Sequence, residues 1–235
     1  MKLQKITDWL DRTLDLAAFD DVANNGLQIS RSGDEVAKVA FAVDASLASV
    51  KAAANAGAQL LVVHHGISWG GGIRRLTDGA YAVVKAAMDA DLALYAAHLP
   101  LDANRRYGNN RELARALKLA AVRPAFSYHG NVIGLVGVAS RDTTVRIGRT
   151  SVTLGKGQTV GVCSGGAGEF AADAKALGCD LYLTGEASWG DVVAAENVGM
   201  RMVCAGHYET ETYGVTALAK GLAKALKVKT AFLPR

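Results

Sequence analysis

The sequence predicts an α/β fold made of two duplicated three-layer units, each with a largely parallel or mixed sheet. Three observations carry this expectation. Apolar runs of strand length alternate with Ala-rich stretches of helical length, the pattern of parallel strands joined by crossover helices. The same order of runs recurs in the second half of the chain. The halves also align: Val39 to Gly57 lies over Val160 to Gly178, and Ala82 to His98 over Asp191 to His207, each without a gap. An SWG triplet, at 68–70 and again at 188–190, falls between the aligned segments in both halves. Ala and Val match by chance in such helices, so the shared SWG and the ends of the alignment weigh most. Those ends set HLPLD (98–102) over HYETE (207–211), each a histidine followed four residues later by a carboxylate. The expected division is 1–124 for the first unit and 125–235 for the second.

Taken in order, the start, MKLQKITDWLDRTLDL, reads as an amphipathic helix. NNGLQIS carries an Asn-Gly turn signal, and Asn25 and Gln28 within it are candidate polar contacts of a site. KVAFAVDA, QLLVVHHG and LALYAAHLP are strands, separated by the helices SLASVKAAANAG and AYAVVKAAMDAD. FSYHGNVIGLVGVAS and RDTTVRIGRTSVTLGK read as shorter antiparallel strands, which makes the sheet of that half mixed. QTVGVCSGG, CDLYLTGE and MRMVCAGH then alternate with the helices EFAADAKALG and WGDVVAAENVG, and TYGVTALAKGLAKALK is the last helix.

Composition narrows the partners. Half of the 235 residues are hydrophobic, yet no run approaches the roughly 20 apolar residues of a membrane-spanning helix. The start lacks the apolar core and cleavage site of a signal peptide, which points to the cytoplasm. Three cysteines, Cys163, Cys179 and Cys204, without a CxxC spacing indicate neither a disulfide framework nor a thiolate zinc site, and are expected to be small buried residues. A net charge of +4 with scattered Lys and Arg argues against nucleic acid as a partner.

Of five histidines, four fall at predicted C-terminal ends of strands: His64, His65, His98 and His207. Ligands of open α/β sheets bind there. His129 stands apart. A lone histidine beside a core strand is ordinarily structural, but four at equivalent strand ends point to a site. Adjacent strand residues project in opposite directions, so His64 and His65 are expected to serve two ions rather than chelate one. Zinc, iron, manganese and nickel take imidazole together with carboxylate, and two such ions roughly 3.5–4 Å apart can hold a bridging hydroxide. Asp102 and Glu211 supply the carboxylates, and in a first helical turn the four-residue spacing puts His and acid on one face. Glu211 is the candidate bridge. Glu209 and Glu211 also complement the dipole of a helix N-terminus, which accounts for the acids but not for the histidine before them. The two sheets are therefore expected to face each other across a metal site.

The combination of NNGLQ (24–28), LLVVHHG (60–66), HLPLDA with GNN (98–103 and 108–110), TGE (184–186) and GHYETE (206–211) resembles the dinuclear-metal hexameric family. That family is also called NIF-three-like, and its bacterial members are labelled GTP cyclohydrolase I type 2 homologs. The resemblance spans nearly the whole chain, and HHG with a distant GHxxxE is its most specific part. It implies two divalent ions on His64, His65, Asp102, His207 and Glu211, with the glutamate bridging both and His98 acting beside them in proton transfer. It also implies a homo-oligomer, a toroidal hexamer. The activity implied is hydrolysis of a nucleotide, with metal-bound hydroxide opening the purine ring of GTP. A non-enzymatic hexameric metal-binding scaffold or regulator is the alternative. The chain departs from its relatives after TGE, where ASWGD stands in place of the one or two histidines often found there.

Two further stretches carry expectations. CSGGAGEF (163–170) follows a strand and opens a helix, so its amides could cradle an anion, although it lacks the spacing of a nucleotide-binding loop. DANRRYGNNREL places Arg105 and Arg106 just after Asp102, where they could grip a phosphate, a solvated loop being the plainer reading.

Overall fold

In the computed structural model, which describes residues 1–235, the N-terminal segment is helix α1 (Leu3–Leu14), with Leu3, Ile6, Leu10 and Leu14 buried at helical spacing. There follow β1 (Gly26–Ile29), β2 (Lys38–Asp44), α2 (Leu47–Asn55), β3 (Leu60–His65), α3 (Asp78–Asp89), β4 (Ala93–Ala96) and α4 (Leu99–Ala103). The middle of the chain forms α5 (Asn109–Ala116), β5 (Leu119–Tyr128), β6 (Asn131–Ala139), β7 (Thr143–Ile147) and β8 (Thr150–Leu154). The last part forms β9 (Thr159–Gly166), α6 (Ala171–Ala176), β10 (Leu181–Glu186), α7 (Trp189–Asn197), β11 (Met202–Cys204), α8 (His207–Leu226) and β12 (Lys229–Phe232). No helix is long and apolar enough to cross a membrane.

The chain divides into two compact units, residues 1–101 with 215–235 and residues 102–214. This differs from the break at 124/125 expected from the sequence. The reason lies in two elements. Helix α5 buries Leu113, and Leu117 just after its end, in the same core as Val160, Val162, Leu181 and Leu183 of β9 and β10, so it belongs to the second unit. Strand β12 pairs with β2, so the C-terminus belongs to the first.

The first unit has the sheet order β1-β4-β3-β2-β12, parallel throughout except for β1. Side chains alternate across it. Ala40, Ala42, Leu61, Val63 and Leu94 pack with Val50, Ala53 and Ala87 of α2 and α3. Tyr95, on the opposite parity, donates its hydroxyl to Asp11 of α1, so helices cover both faces. The second unit has the order β11-β10-β9-β6-β5, with β9, β10 and β11 parallel and β5 and β6 antiparallel. The hairpin of β7 and β8 places Ile147, Val152 and Leu154 in its core.

The runs β2-α2-β3-α3-β4 and β9-α6-β10-α7-β11 therefore share element order, parallel pairing and strand order. The aligned Gly57 and Gly178 both follow a helix at positive φ, 69° and 77°, where a residue without Cβ ends the helix at least cost. The repeats differ most at one connection: residues 66–77 join β3 to α3, whereas only 187 and 188 join β10 to α7. The SWG triplets are not equivalent. Ser188 caps α7 in a reciprocal box with Asp191, but Ser68 lies in the long loop and α3 starts after Thr77. Among the cysteines, Cys163 and Cys179 are buried as expected, while Cys204 is exposed, because β11 is the sheet edge.

Candidate functional site

In the first unit, β3 ends in His64 and His65, and His98 follows β4 just ahead of α4. The expected strand-end placement holds for all three. Their candidate ligand atoms lie within 4.8 Å of one another. The His64 and His65 rings are 4.6 Å apart and tilted by 45°, closer than side chains that project to opposite faces of a strand. His98 is 5.1 Å from His64, and the Trp69 ring meets His98 edge-on at 5.1 Å.

Each of the three rings is held through Nδ1. His64 Nδ1 donates to Ala97 O at 2.9 Å, His65 Nδ1 to Asp44 Oδ1 at 2.9 Å, and His98 Nδ1 to Asp21 Oδ1 at 2.9 Å. A carbonyl and two carboxylates only accept, so the proton sits on Nδ1 and Nε2 carries the lone pair of the neutral ring. This is the way a metal-ligating imidazole is oriented. The parallel register sets Asp44 directly beside His65. Asp21 also accepts from Leu99 N, Ala23 N and Asn25 Nδ2. Burial pushes its carboxyl up, but the hydrogen bonds from His98, Ala23 and Asn25 outweigh it and hold the group at about 2. The NNGLQ stretch works around the histidines: Asn25 Oδ1 accepts from His98 N, and Gln28 Oε1 accepts from Ile67 N just past HHG.

In the second unit, His207 is the first residue of α8 and Glu211 lies one turn on, buried. His207 Nε2 is 3.0 Å from Glu211 Oε1, and its Nδ1 is 2.9 Å from Glu186 Oε1 of the TGE motif. The hydrogen bond to Glu211 raises His207 to about 9 against the opposing effect of burial, with Glu186 adding to the rise. Asp102, also buried, accepts from Asn109 Nδ2 at 2.9 Å and Ser164 Oγ at 3.0 Å through Oδ1. Asn110 of the GNN motif ties the same region to β9 by accepting from Ser164 N. Next to it, Gly165 sits at φ 70°, and a Cβ there would come within 2.5 Å of Glu211 Oε1 and 3.3 Å of His207 Nε2. Only glycine leaves room for both side chains.

Three amides of the CSGGAGEF stretch, read as able to cradle an anion, are taken by side chains. The amides of Ser164, Gly165 and Ala167 already donate to Asn110 Oδ1, Thr210 Oγ1 and Thr184 Oγ1. Burial pushes the Cys163 thiol up, which keeps it protonated. His129 lies in the β5–β6 turn at φ 47°. Sequence reasoning missed Asp21, Asp44 and Ser164. Asp44, at the end of a strand adjacent to β3, is the one with a legible signal.

The family profile described as Duf34/NIF3 (NGG1p interacting factor 3) matches residues 1–235. The chain belongs to the Duf34/NIF3 family. Among family relatives, a "GTP cyclohydrolase 1 type 2 homolog" of Deinococcus radiodurans is 39% identical over 228 residues, covering 92% of this chain and 86% of the relative. Another of that name from Pyrococcus horikoshii is 37% identical over 247 residues, covering 99% and 98%. Among solved structures, the protein ybgI, described as of unknown function, superposes with a TM-score of 0.87 at 28% identity over 100% of this chain and 98% of that one. Reduced HcgD from Methanocaldococcus jannaschii gives 0.82 at 26% identity over 99% and 98%. These likenesses agree with the two-sheet architecture and with the resemblance read from HHG and GHxxxE.

Proposed function

We propose that the chain is a dinuclear divalent-metal protein of the cytoplasm that works as a metal-dependent hydrolase on a nucleotide, as the name of its curated relatives suggests. The observation that supports this most is the anchoring of three clustered imidazoles through Nδ1, which leaves Nε2 of each ring as the nitrogen available to a ligand, with candidate ligand atoms within 4.8 Å of one another. Imidazole with carboxylate is the donor set of zinc, iron, manganese or nickel, so the residues fit such ions. His64, His65, Asp102, His207 and Glu211 would hold two of them, Glu211 being the ligand shared by both. When bound, the ions supply Lewis acidity that brings the pKa of water down to about 7.

The chain's own residues do the rest. His98 accepts a proton from water at Nε2 and returns it to the leaving nitrogen, while Asp21, ionised at neutral pH, stabilises the imidazolium formed. On a guanine nucleotide the reaction is attack of water at purine C8 and opening of the imidazole ring. The assembly proposed is a homo-oligomer, a toroidal hexamer, for which light scattering is expected to give a mass near six chains. The reaction is tested by incubating metal-loaded protein with GTP, other nucleotides and phosphoesters. Formation of a ring-opened product supports the hydrolase. No turnover of any of them by fully loaded protein supports the metal-binding scaffold instead.

A further inference from the structure

A cavity of about 310 Å³ lies in the second unit between the segment after α4 and the β5–β6 ribbon. Arg105 and Arg111 line it together with Val122, Pro124, Val132 and Leu135, and Asp102 forms part of its wall. Three features mark it as built. The Nε of Arg111 is buried and no protein acceptor reaches it, a cost that a ligand oxygen would remove. Its neighbour Arg115, by contrast, is paired with Glu112.

The apolar wall is shaped by a bulge. The register of β5 against β6 shifts between Ala120 and Arg123, and Ala121 inside it sits at φ 49°. Gly137 on β6 makes room, since a Cβ there would meet Leu119 Cβ at 3.0 Å and Val122 Cγ2 at 3.1 Å. Bulges and left-handed non-glycine residues are retained where they re-aim side chains at a site. The third feature is a division of labour among the arginines. Arg106 stacks its guanidinium 5.1 Å over the Tyr107 ring and does not line the cavity, so of the two arginines that follow Asp102 only Arg105 lines it.

We infer that this cavity binds a phosphate monoester of a sugar that carries a flat ring with apolar faces, the chemistry of a mononucleotide. Guanidinium groups take phosphate oxygens through fixed pairs of donors, and the Val, Pro and Leu walls cover the ring. The volume is at the small end of the roughly 300–1,000 Å³ of small-molecule pockets, which suits one ring system with one phosphate. The role of this ligand as substrate rests on the hydrolase reading, through Asp102; its binding does not.

Calorimetry on the full chain, stripped of metal with EDTA, tests the inference with GMP, guanosine and inorganic phosphate as probes. GMP is expected to bind at least ten-fold more tightly than either fragment. Arg111→Gln weakens GMP at least ten-fold while the protein still takes up metal like wild type. Val132→Trp, at a position 49% exposed and so tolerant of size, fills the cavity and abolishes GMP binding without lowering Tm. Guanosine or phosphate binding as tightly as GMP, no binding of GMP at millimolar concentration, or wild-type affinity in either variant would overturn it. Retained GMP binding in a protein that takes up no metal would support this cavity and refute the metal reading alone.

Discussion

Asp21→Asn keeps the outline of a side chain that is 2% exposed and removes its charge. The carboxylate accepts four hydrogen bonds, from His98 Nδ1, Ala23 N, Asn25 Nδ2 and Leu99 N. An amide can accept only through its oxygen, and its NH₂ faces donors. In the folded chain Asp21 titrates at about 2 against an ordinary 3.8, so its folded value is depressed. The stabilisation is therefore present above 3.8 and lost as pH falls through 2. That difference corresponds to about 2 kcal/mol at pH 7, of which about half remains at pH 3. Urea unfolding of EDTA-treated wild type and Asp21→Asn at pH 7, 5 and 3 measures it. The gap is expected to be at least about 2 kcal/mol at pH 7 and to narrow toward pH 3. A variant as stable as wild type at pH 7, or a gap independent of pH, would refute the assignment of Asp21 as the ionised anchor of His98.

Two further substitutions separate site from scaffold. Gly165→Ala puts a Cβ against Glu211 Oε1 at φ 70°, so it should cost about 1–2 kcal/mol by thermal melting and also reduce metal uptake; unchanged Tm and metal content would show that the turn is not restrictive. Phe41→Ala empties a fully buried position in β2 and should cost about 3–5 kcal/mol in urea unfolding, with normal metal content in whatever protein folds. A loss below about 1 kcal/mol would mean that this face of the sheet is not packed as described.

Most strands of both sheets were legible because their Val, Leu and Ala runs are bounded by Gly and by Ser-capped helices, as at Ser46 and Ser188. The strand-end histidines were legible for the same reason: each stands at the point where an apolar run stops. Their anchors were not. Asp21 reaches His98 across 77 residues and Asp44 reaches His65 across 21, and such pairings depend on which strands become neighbours. The placement of β12 beside β2, and hence the division of the chain at 101/102 and 214/215, depends on the same long-range choice. The bulge in β5 had no signal, since Ala121 carries a conformation that alanine does not advertise. The matching SWG triplets pointed to a real duplication from positions that are not equivalent in it.

Counting metal ions on wild type and on Glu211→Gln is the most direct test of a carboxylate shared between two ions. Glutamine preserves the size of Glu211 and removes the charge that offsets two dications. After loading with zinc or manganese and removal of excess, elemental analysis of wild type should give about two ions per chain, as a dinuclear centre requires. Glu211→Gln should hold about one or fewer, with a circular dichroism spectrum like that of wild type. A wild-type chain that takes up neither metal, or a Glu211→Gln chain that keeps both ions as tightly as wild type, would contradict the account.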